Sequence, residues 1–293
     1  MKLLKGLVRT LRPAQWVKNV ILFAGLVFSQ NFTNPELVVR ASIAFVIFCM
    51  LSGSTYAFND LWDLEQDKKH PVKCKRPLPS GMISPNAAVA LWLVMMVLGL
   101  GIAWLKLGWF FGVLALGYVV LTLSYTMYIK HVEILDLLAV SGGFVIRAGA
   151  GAAAIPVHMS SWLFACTLLL SLFLVIGKRR AEITLLKEDA VHHRKVIAEY
   201  TPKLLDQMIA IVTSATLISY VLYTMAPETV ARFQTDNLKF TAPFVLYGIF
   251  RYLYLIYSRD EGHQPERSLF TDWPLLVNLV LYAITVTGII YFT

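Results

Sequence analysis

The sequence predicts an all-α integral membrane protein, a bundle of nine transmembrane helices in one domain over residues 1–293, with its two long loops on the cytoplasmic side. Three observations predict this. First, 57% of the 293 residues are apolar and 15% charged, against roughly 45–50% and 25% in a soluble domain; the mean hydropathy is +0.64. Second, the apolar residues come in continuous runs near the roughly 20 residues that cross a bilayer, without the alternation of a membrane barrel. Third, the basic residues gather on alternate loops. A soluble domain of ordinary size, a nucleic-acid-binding module and a secreted disulfide scaffold are all excluded. The three cysteines have no paired or metal-ligand spacing, and each reads as a packing or surface residue.

The nine runs are 15–33, 37–58, 86–105, 108–129, 133–155, 160–177, 205–226, 240–257 and 273–292. Lys2, Lys5, Arg9 and Arg12 lead into a first run that is too long for a signal-peptide core and lacks a small-residue cleavage site, so it reads as a retained helix. Lys18 falls in that opening segment. The 2–3 loop carries Lys68, Lys69, Lys73, Lys75 and Arg76, and the 4–5 loop Lys130. The 6–7 loop carries Lys178, Arg179, Arg180, Lys187, Arg194, Lys195 and Lys203, and the 8–9 region Arg251, Arg259 and Arg267. In all, 21 of the 26 Lys and Arg fall on one side. Arg40, Lys106, Arg232 and Lys239 fall on the other, and Arg147 lies inside span five. The positive-inside rule then puts the N-terminus in the cytoplasm and the C-terminus outside.

Chemistry concentrates in the two long loops, 59–85 and 178–204. The first opens Asn59-Asp60-Leu61-Trp62-Asp63-Leu64-Glu65-Gln66-Asp67. On a helix continuing from span two, the three aspartates at i, i+3 and i+7 would share one face and repel unless a cation sat between them. Hard oxygen ligands at a membrane edge suit Mg²⁺, which takes one or two carboxylates plus substrate phosphates. Pro71-Val72-Lys73-Cys74-Lys75-Arg76-Pro77-Leu78-Pro79-Ser80-Gly81 follows, a non-helical path that would hold Lys73 and Arg76 opposite the acids. Acids with a metal on one wall and cations on the other suit a diphosphate.

Asn59-Asp-x-x-Asp63-x-x-x-Asp67, followed by His70-Pro71-x-Lys73-x-x-Arg76-Pro77 and Ser80-Gly81, resembles the first signature of the UbiA superfamily of intramembrane prenyltransferases. The resemblance covers nearly the whole chain and implies a nine-helix UbiA-type bundle with cytoplasmic active-site loops. Members that use prenyl diphosphates usually carry a second aspartate-rich motif between helices six and seven. Here that loop opens Gly177-Lys178-Arg179-Arg180-Ala181-Glu182, cations that meet phosphate oxygens directly. This departure resembles one branch of the superfamily, the decaprenyl-phosphate phosphoribosyltransferases. So do Arg12-Pro13-x-Gln15-Trp16-x-Lys18-Asn19, Lys130 after the Tyr125/Tyr128 pair, Ile134-Leu135-Asp136, Gly142-Gly143-Phe144-Val145-Ile146-Arg147-Ala148, and Arg251-Tyr252 through Pro265-Glu266 and Asp272.

That resemblance implies transfer of 5-phosphoribose from 5-phosphoribosyl 1-diphosphate to a polyprenyl phosphate, with diphosphate released, in a cell-envelope polysaccharide precursor pathway. It implies a place in the cytoplasmic membrane and a homotrimer. It gives Asp60, Asp63 and Asp67 the catalytic role and, with Asn59, the Mg²⁺; Lys18, Asn59, Lys73, Arg76, Tyr128, Lys130, Arg147, Lys178, Arg179 and Arg180 become the substrate-binding set. An acceptor phosphate monoester, with a second pKa of about 6, is already an anionic nucleophile and needs no general base. A charge inside span five is expensive, so Arg147 should meet an anion, either a carboxylate of another helix or a substrate phosphate. Gly149-x-Gly151 sits in a membrane helix with no strand before it and reads as close helix packing, not a dinucleotide fingerprint. His192-His193 reads as a solvated pair. Two rival functions remain: prenyl transfer to an aromatic or glycerol-phosphate acceptor, which wants a second acidic cluster in a loop where Glu182, Glu188 and Asp189 do not take the family's Asp-x-x-x-Asp form, and transport or lipid carriage, which wants midplane polar groups.

Overall fold

A computed structural model describes residues 2–186, 199–258 and 271–292. Among these the chain is helices and turns, with no strand, and it forms two compact units, Met1–Met159 and Ser160–Thr293. The sequence features at Lys187, Glu188, Asp189, His192, His193, Arg194, Lys195, Arg259, Pro265, Glu266 and Arg267 lie outside the described residues.

The first unit opens with α1 (Lys2–Thr10), a 3₁₀ helix over Pro13–Phe23 and α2 (Ala24–Phe28). The expected first transmembrane α-helix is therefore mostly 3₁₀. A period of three lines up Trp16, Asn19 and Leu22, and Asn19 and Leu22 are buried on that edge. At about 2 Å per 3₁₀ residue and 1.5 Å per α residue, Pro13–Phe28 spans about 30 Å, the thickness of a hydrocarbon core. Among the described residues, eight other helical stretches are long and apolar enough to cross a membrane.

Four of those eight belong to the first unit: α3 (Pro35–Trp62), α5 (Pro85–Leu107), α6 (Trp109–Met127) and α7 (Leu135–Ala154), with the short α4 (Leu64–Lys69) between the first two. Local chemistry starts them. Asn34 accepts from the Glu36 and Leu37 amides ahead of Pro35, and Ser84 accepts from the Ala87 amide ahead of Pro85. α3 packs along α5 and α6 along α7. Phe48, Phe111 and Tyr118 form the aromatic centre of the shared core, with Phe48–Phe111 centroids 5.9 Å apart. A Cβ at Gly151 would stand 2.1 Å from the Leu22 carbonyl oxygen, so α7 meets the 3₁₀ helix backbone to backbone, and Gly149-x-Gly151 is a packing motif.

The second unit contains α8 (Ser161–Leu186), α9 (Pro202–Met225), α10 (Pro227–Phe233), α11 (Ala242–Ser258, preceded by a 3₁₀ turn at Asn237–Thr241) and α12 (Trp273–Phe292). α8 pairs with α9, and α11 with α12. α8 continues nine residues past the expected end of span six, so Lys178, Arg179 and Arg180 stand on a helix and not at the start of a loop. Arg179 to Glu182 (3.0 Å) and Arg180 to Thr184 (3.1 Å) are the neighbouring-turn pairs that extend it. Tyr220 bonds Thr241 and Tyr282, and Arg251 grips Asp272 with two hydrogen bonds of 3.0 and 2.8 Å.

Candidate active site

The polar end of α3 carries the site. Its last turns bury Ser52, Ser54, Thr55 and Asp60 before the helix stops at Trp62. Asp63 (φ −94°, ψ 10°) is the joint, and α4 starts anew at Leu64. The continuous helix expected through Asp60, Asp63 and Asp67 is thus broken, and the three carboxylates do not line one face. The break separates like charges and gives each its own cation. Asp60 and Asp67, each 1% exposed, turn toward the same guanidinium. Arg76 Nη1 lies 3.1 Å from Asp60 Oδ1 and 2.6 Å from Asp67 Oδ2. Asp63 turns away to the buried Lys130, 2.6 Å from its Nζ.

The loop that presents Arg76 is built by short-range bonds. His70 Nδ1 accepts from the Val72 and Lys73 amides at 3.1 and 3.2 Å, which makes it a turn former. A 3₁₀ turn at Lys73–Lys75 follows, and the Arg76 amide closes it on the Lys73 carbonyl at 2.9 Å. Lys73 Nζ ends 3.6 Å from Asp67 Oδ1. The prolines and Gly81 (φ +75°) then return the chain to α5. Glu65, in the same motif, faces solvent, and its hydrogen bond from Lys68 holds its carboxyl below the usual range.

Arg12, absent from the residues that sequence reasoning singled out for the site, is a further member. Its guanidinium bonds Asp60 Oδ1 and lies 4.8 Å from the Tyr56 ring centroid. Its backbone is left-handed (φ 51°) although Pro13 follows, a conformation that costs about 1–3 kcal/mol and survives only where surrounding contacts enforce it. The signal in the sequence was the Arg-Pro step beside a basic helix; a partner 48 residues away left no local trace. Three buried or half-buried acids therefore face four cations, Arg12, Lys73, Arg76 and Lys130. This cluster is internally satisfied, yet it carries one surplus positive charge, which favours an anion.

Asn59 sits one residue before Asp60, its Oδ1 3.5 Å from Thr126 Oγ1. Lys18 is half-buried in the 3₁₀ helix, and Tyr128 is an exposed ring at the end of α6, two residues before Lys130. Arg147 is brought to a different place. Of its two expected partners, a carboxylate of another helix is absent among the described residues: Nε donates to Asn19 Oδ1 at 2.8 Å, Nη1 to the Gly143 carbonyl at 3.0 Å, and Nη2 to the Tyr118 hydroxyl at 2.7 Å. The Tyr118 and Phe144 rings lie 4.6 and 5.3 Å from its Cζ, so ring faces and dipoles surround the guanidinium. In the second unit Arg179 bonds Glu182, and Arg180 Nε lies 3.1 Å from Asp206 Oδ1 with its guanidinium over Tyr257 at 4.5 Å. Lys178 is half-exposed on the same turn.

No three Asp, Glu, His or Cys side chains converge as a ready-made metal cage among the described residues. The donor set still suits a hard divalent cation that brings phosphate oxygens with it. Such an ion needs one or two carboxylates, and Asp60 and Asp67 already bridge one cationic nitrogen.

Residues 19–285 match the model of the UbiA prenyltransferase family. A decaprenyl-phosphate phosphoribosyltransferase of Mycolicibacterium smegmatis is 30% identical over 305 residues, covering 99% of this chain and 94% of the relative. Another, from Corynebacterium glutamicum, is 33% identical over 221 residues, covering 74% of this chain and 67% of the relative. Among solved structures, a UbiA homolog from Archaeoglobus fulgidus bound to DMAPP and Mg²⁺ aligns over 98% of this chain and all of its own, with a TM-score of 0.71 at 17% identity.

Proposed function

The chain belongs to the UbiA prenyltransferase family and is an integral membrane transferase, and from that premise we propose that it moves 5-phosphoribose from 5-phosphoribosyl 1-diphosphate to a polyprenyl phosphate, releasing diphosphate. The observation that carries this reading is the acid–cation cluster in which one guanidinium bridges Asp60 and Asp67 and cations outnumber acids.

Asp60 and Asp67, with Asn59 and Asp63 beside them, would hold Mg²⁺. When bound there, the ion supplies Lewis-acid neutralisation of the leaving diphosphate. Arg76 and Lys73 grip the diphosphate oxygens, and Lys130 keeps Asp63 oriented. Lys178, Arg179 and Arg180 on α8 are a second set of cations suited to phosphate oxygens, and Lys18 and Tyr128 are assigned to the acceptor's head group. The acceptor phosphate, ionised at neutral pH, attacks C1 of the ribose without a general base; the acids around Arg76 do no proton transfer. The names of the two relatives support this donor and acceptor. The proposed topology is nine crossings of the cytoplasmic membrane, the 3₁₀ segment included, with the N-terminus inside, the C-terminus outside and the chain in a homotrimer.

The test is a donor competition in detergent or nanodiscs. Purified protein is given a polyprenyl phosphate, Mg²⁺ and either labelled 5-phosphoribosyl diphosphate or a labelled prenyl diphosphate with an aromatic acceptor. Label from the sugar donor should enter the lipid phase. Label transfer only from the prenyl donor would replace this reading with prenyl transfer.

A further inference from the structure

We propose that α1 is a docking surface for anionic lipid, and that its seating on the bilayer holds in place the two guanidiniums that flank Asp60. At 100° per residue, Leu3, Leu4, Leu7 and Val8 fall on one side of α1, and Lys5 and Arg9 on the other. The structure divides the apolar side in two. Leu7 packs on the Leu78, Ile83, Ala88 cluster, and a Cβ at Gly6 would stand 2.7 Å from Ile83 Cγ2. Leu3, Leu4 and Val8 instead point outward, 54%, 68% and 46% exposed, bordered by the exposed Lys5 and Arg9. An exposed apolar strip flanked by cations is the pattern of a helix lying in the plane of a bilayer surface. Charge complementarity selects anionic head groups, and continuity selects a bilayer over a protein: α1 leads after two residues into the apolar 3₁₀ segment that begins at Pro13.

What α1 fastens gives the surface its consequence. The segment it rests on, Leu78–Ile83, continues directly from Arg76 and is tied back to it. The Ser80 amide donates to the Arg76 carbonyl at 3.0 Å, and the Ile83 amide to the Pro77 carbonyl at 3.2 Å. At its other end α1 runs into Leu11, which lies so close over α3 that a Cβ at Gly53 would stand 2.8 Å from Leu11 Cδ2. Arg12 follows in its left-handed conformation. Both cations on Asp60 thus hang from segments that α1 pins. Lipid binding at Lys5 and Arg9 keeps Arg12 and Arg76 seated and raises the affinity of the cluster for a diphosphate. The coupling rests on the proposed role of that cluster; the docking does not.

The test uses the full-length protein in nanodiscs with Cys74→Ser and Cys166→Ser, carrying Leu4→Cys labelled with an environment-sensitive fluorophore. With anionic lipid the label should report an apolar setting. In purely zwitterionic lipid, or with Lys5→Glu and Arg9→Glu, it should report water. In parallel, Mg²⁺ and inorganic diphosphate are titrated calorimetrically, and removing anionic lipid should weaken binding at least about fivefold. A label in water in both lipids, or shielding that depends on protein concentration and so marks a second copy, overturns the docking. A shielded label with lipid-independent diphosphate affinity overturns the coupling. Since the probe is diphosphate alone, a failure of the phosphoribosyl reading would appear separately, as absence of sugar transfer with both arms intact.

Discussion

Two arginine clusters in the first unit, one half-buried and one buried, hold charge in opposite ways. Arg76 and Arg12 meet carboxylates, so their cluster is a set of ion pairs whose partners can be exchanged for a metal and a phosphate without stranding a charge. Arg147 meets an amide oxygen, a carbonyl, a hydroxyl and two ring faces. Those partners come from the 3₁₀ helix, α6 and α7 itself, and the bonds bind these elements together. The first arrangement suits turnover and the second suits rigidity, and only the second places a basic residue inside a span, at a membrane depth where charge is expensive.

The sharpest separation comes from the carboxylates. Asp60→Asn or Asp67→Asn should lower kcat/KM by at least about 10³-fold if each is, as proposed, a metal ligand where charge develops, while membrane expression persists. Wild-type kinetics in either variant would break the contrast from the catalytic side. Arg147→Met should do the reverse. Losing three hydrogen bonds and stranding Asn19 and Tyr118 should cost about 2–4 kcal/mol in a thermal or denaturant unfolding assay, with the KM for the donor unchanged in the surviving fold. A raised KM with full stability would move Arg147 into the substrate site. Lys130→Met tests the pair between these extremes. It leaves Asp63 without its cation at a half-buried site, and the stability loss should be partly recovered by adding Asp63→Asn, a coupling of about 1–3 kcal/mol in a double-mutant cycle read by unfolding. The smallest effect belongs to the second unit, where Lys178→Glu should raise the KM for the phosphorylated sugar about tenfold and leave kcat near normal.

Much of this was legible from residue order, for identifiable reasons. Seven of the eight long helices follow their hydrophobic runs closely, because continuous apolarity is a local property; α8 overran because Arg179 and Arg180 find helical partners one turn on. The first run misled because a 3₁₀ helix covers the same depth with fewer residues than an α-helix and leaves the same composition. At the site, Lys73 and Arg76 could be placed opposite the acids because the proline-rich loop is short and turns locally. The joint at Asp63 could not, since nothing in Trp62-Asp63-Leu64 is a helix breaker. Nor could Arg12 with Asp60 or Lys130 with Asp63, which lie 48 and 67 residues apart and meet only through helix packing.

The most direct test of the central claim is a Mn²⁺ titration followed by electron paramagnetic resonance, with and without inorganic diphosphate, on the wild-type protein and on Asp60→Asn and Asp67→Asn. If the cluster bridged by Arg76 is where metal and diphosphate meet, diphosphate tightens Mn²⁺ binding in the wild type and either substitution abolishes the tight site. Tight, diphosphate-dependent Mn²⁺ binding that survives in both variants would contradict it.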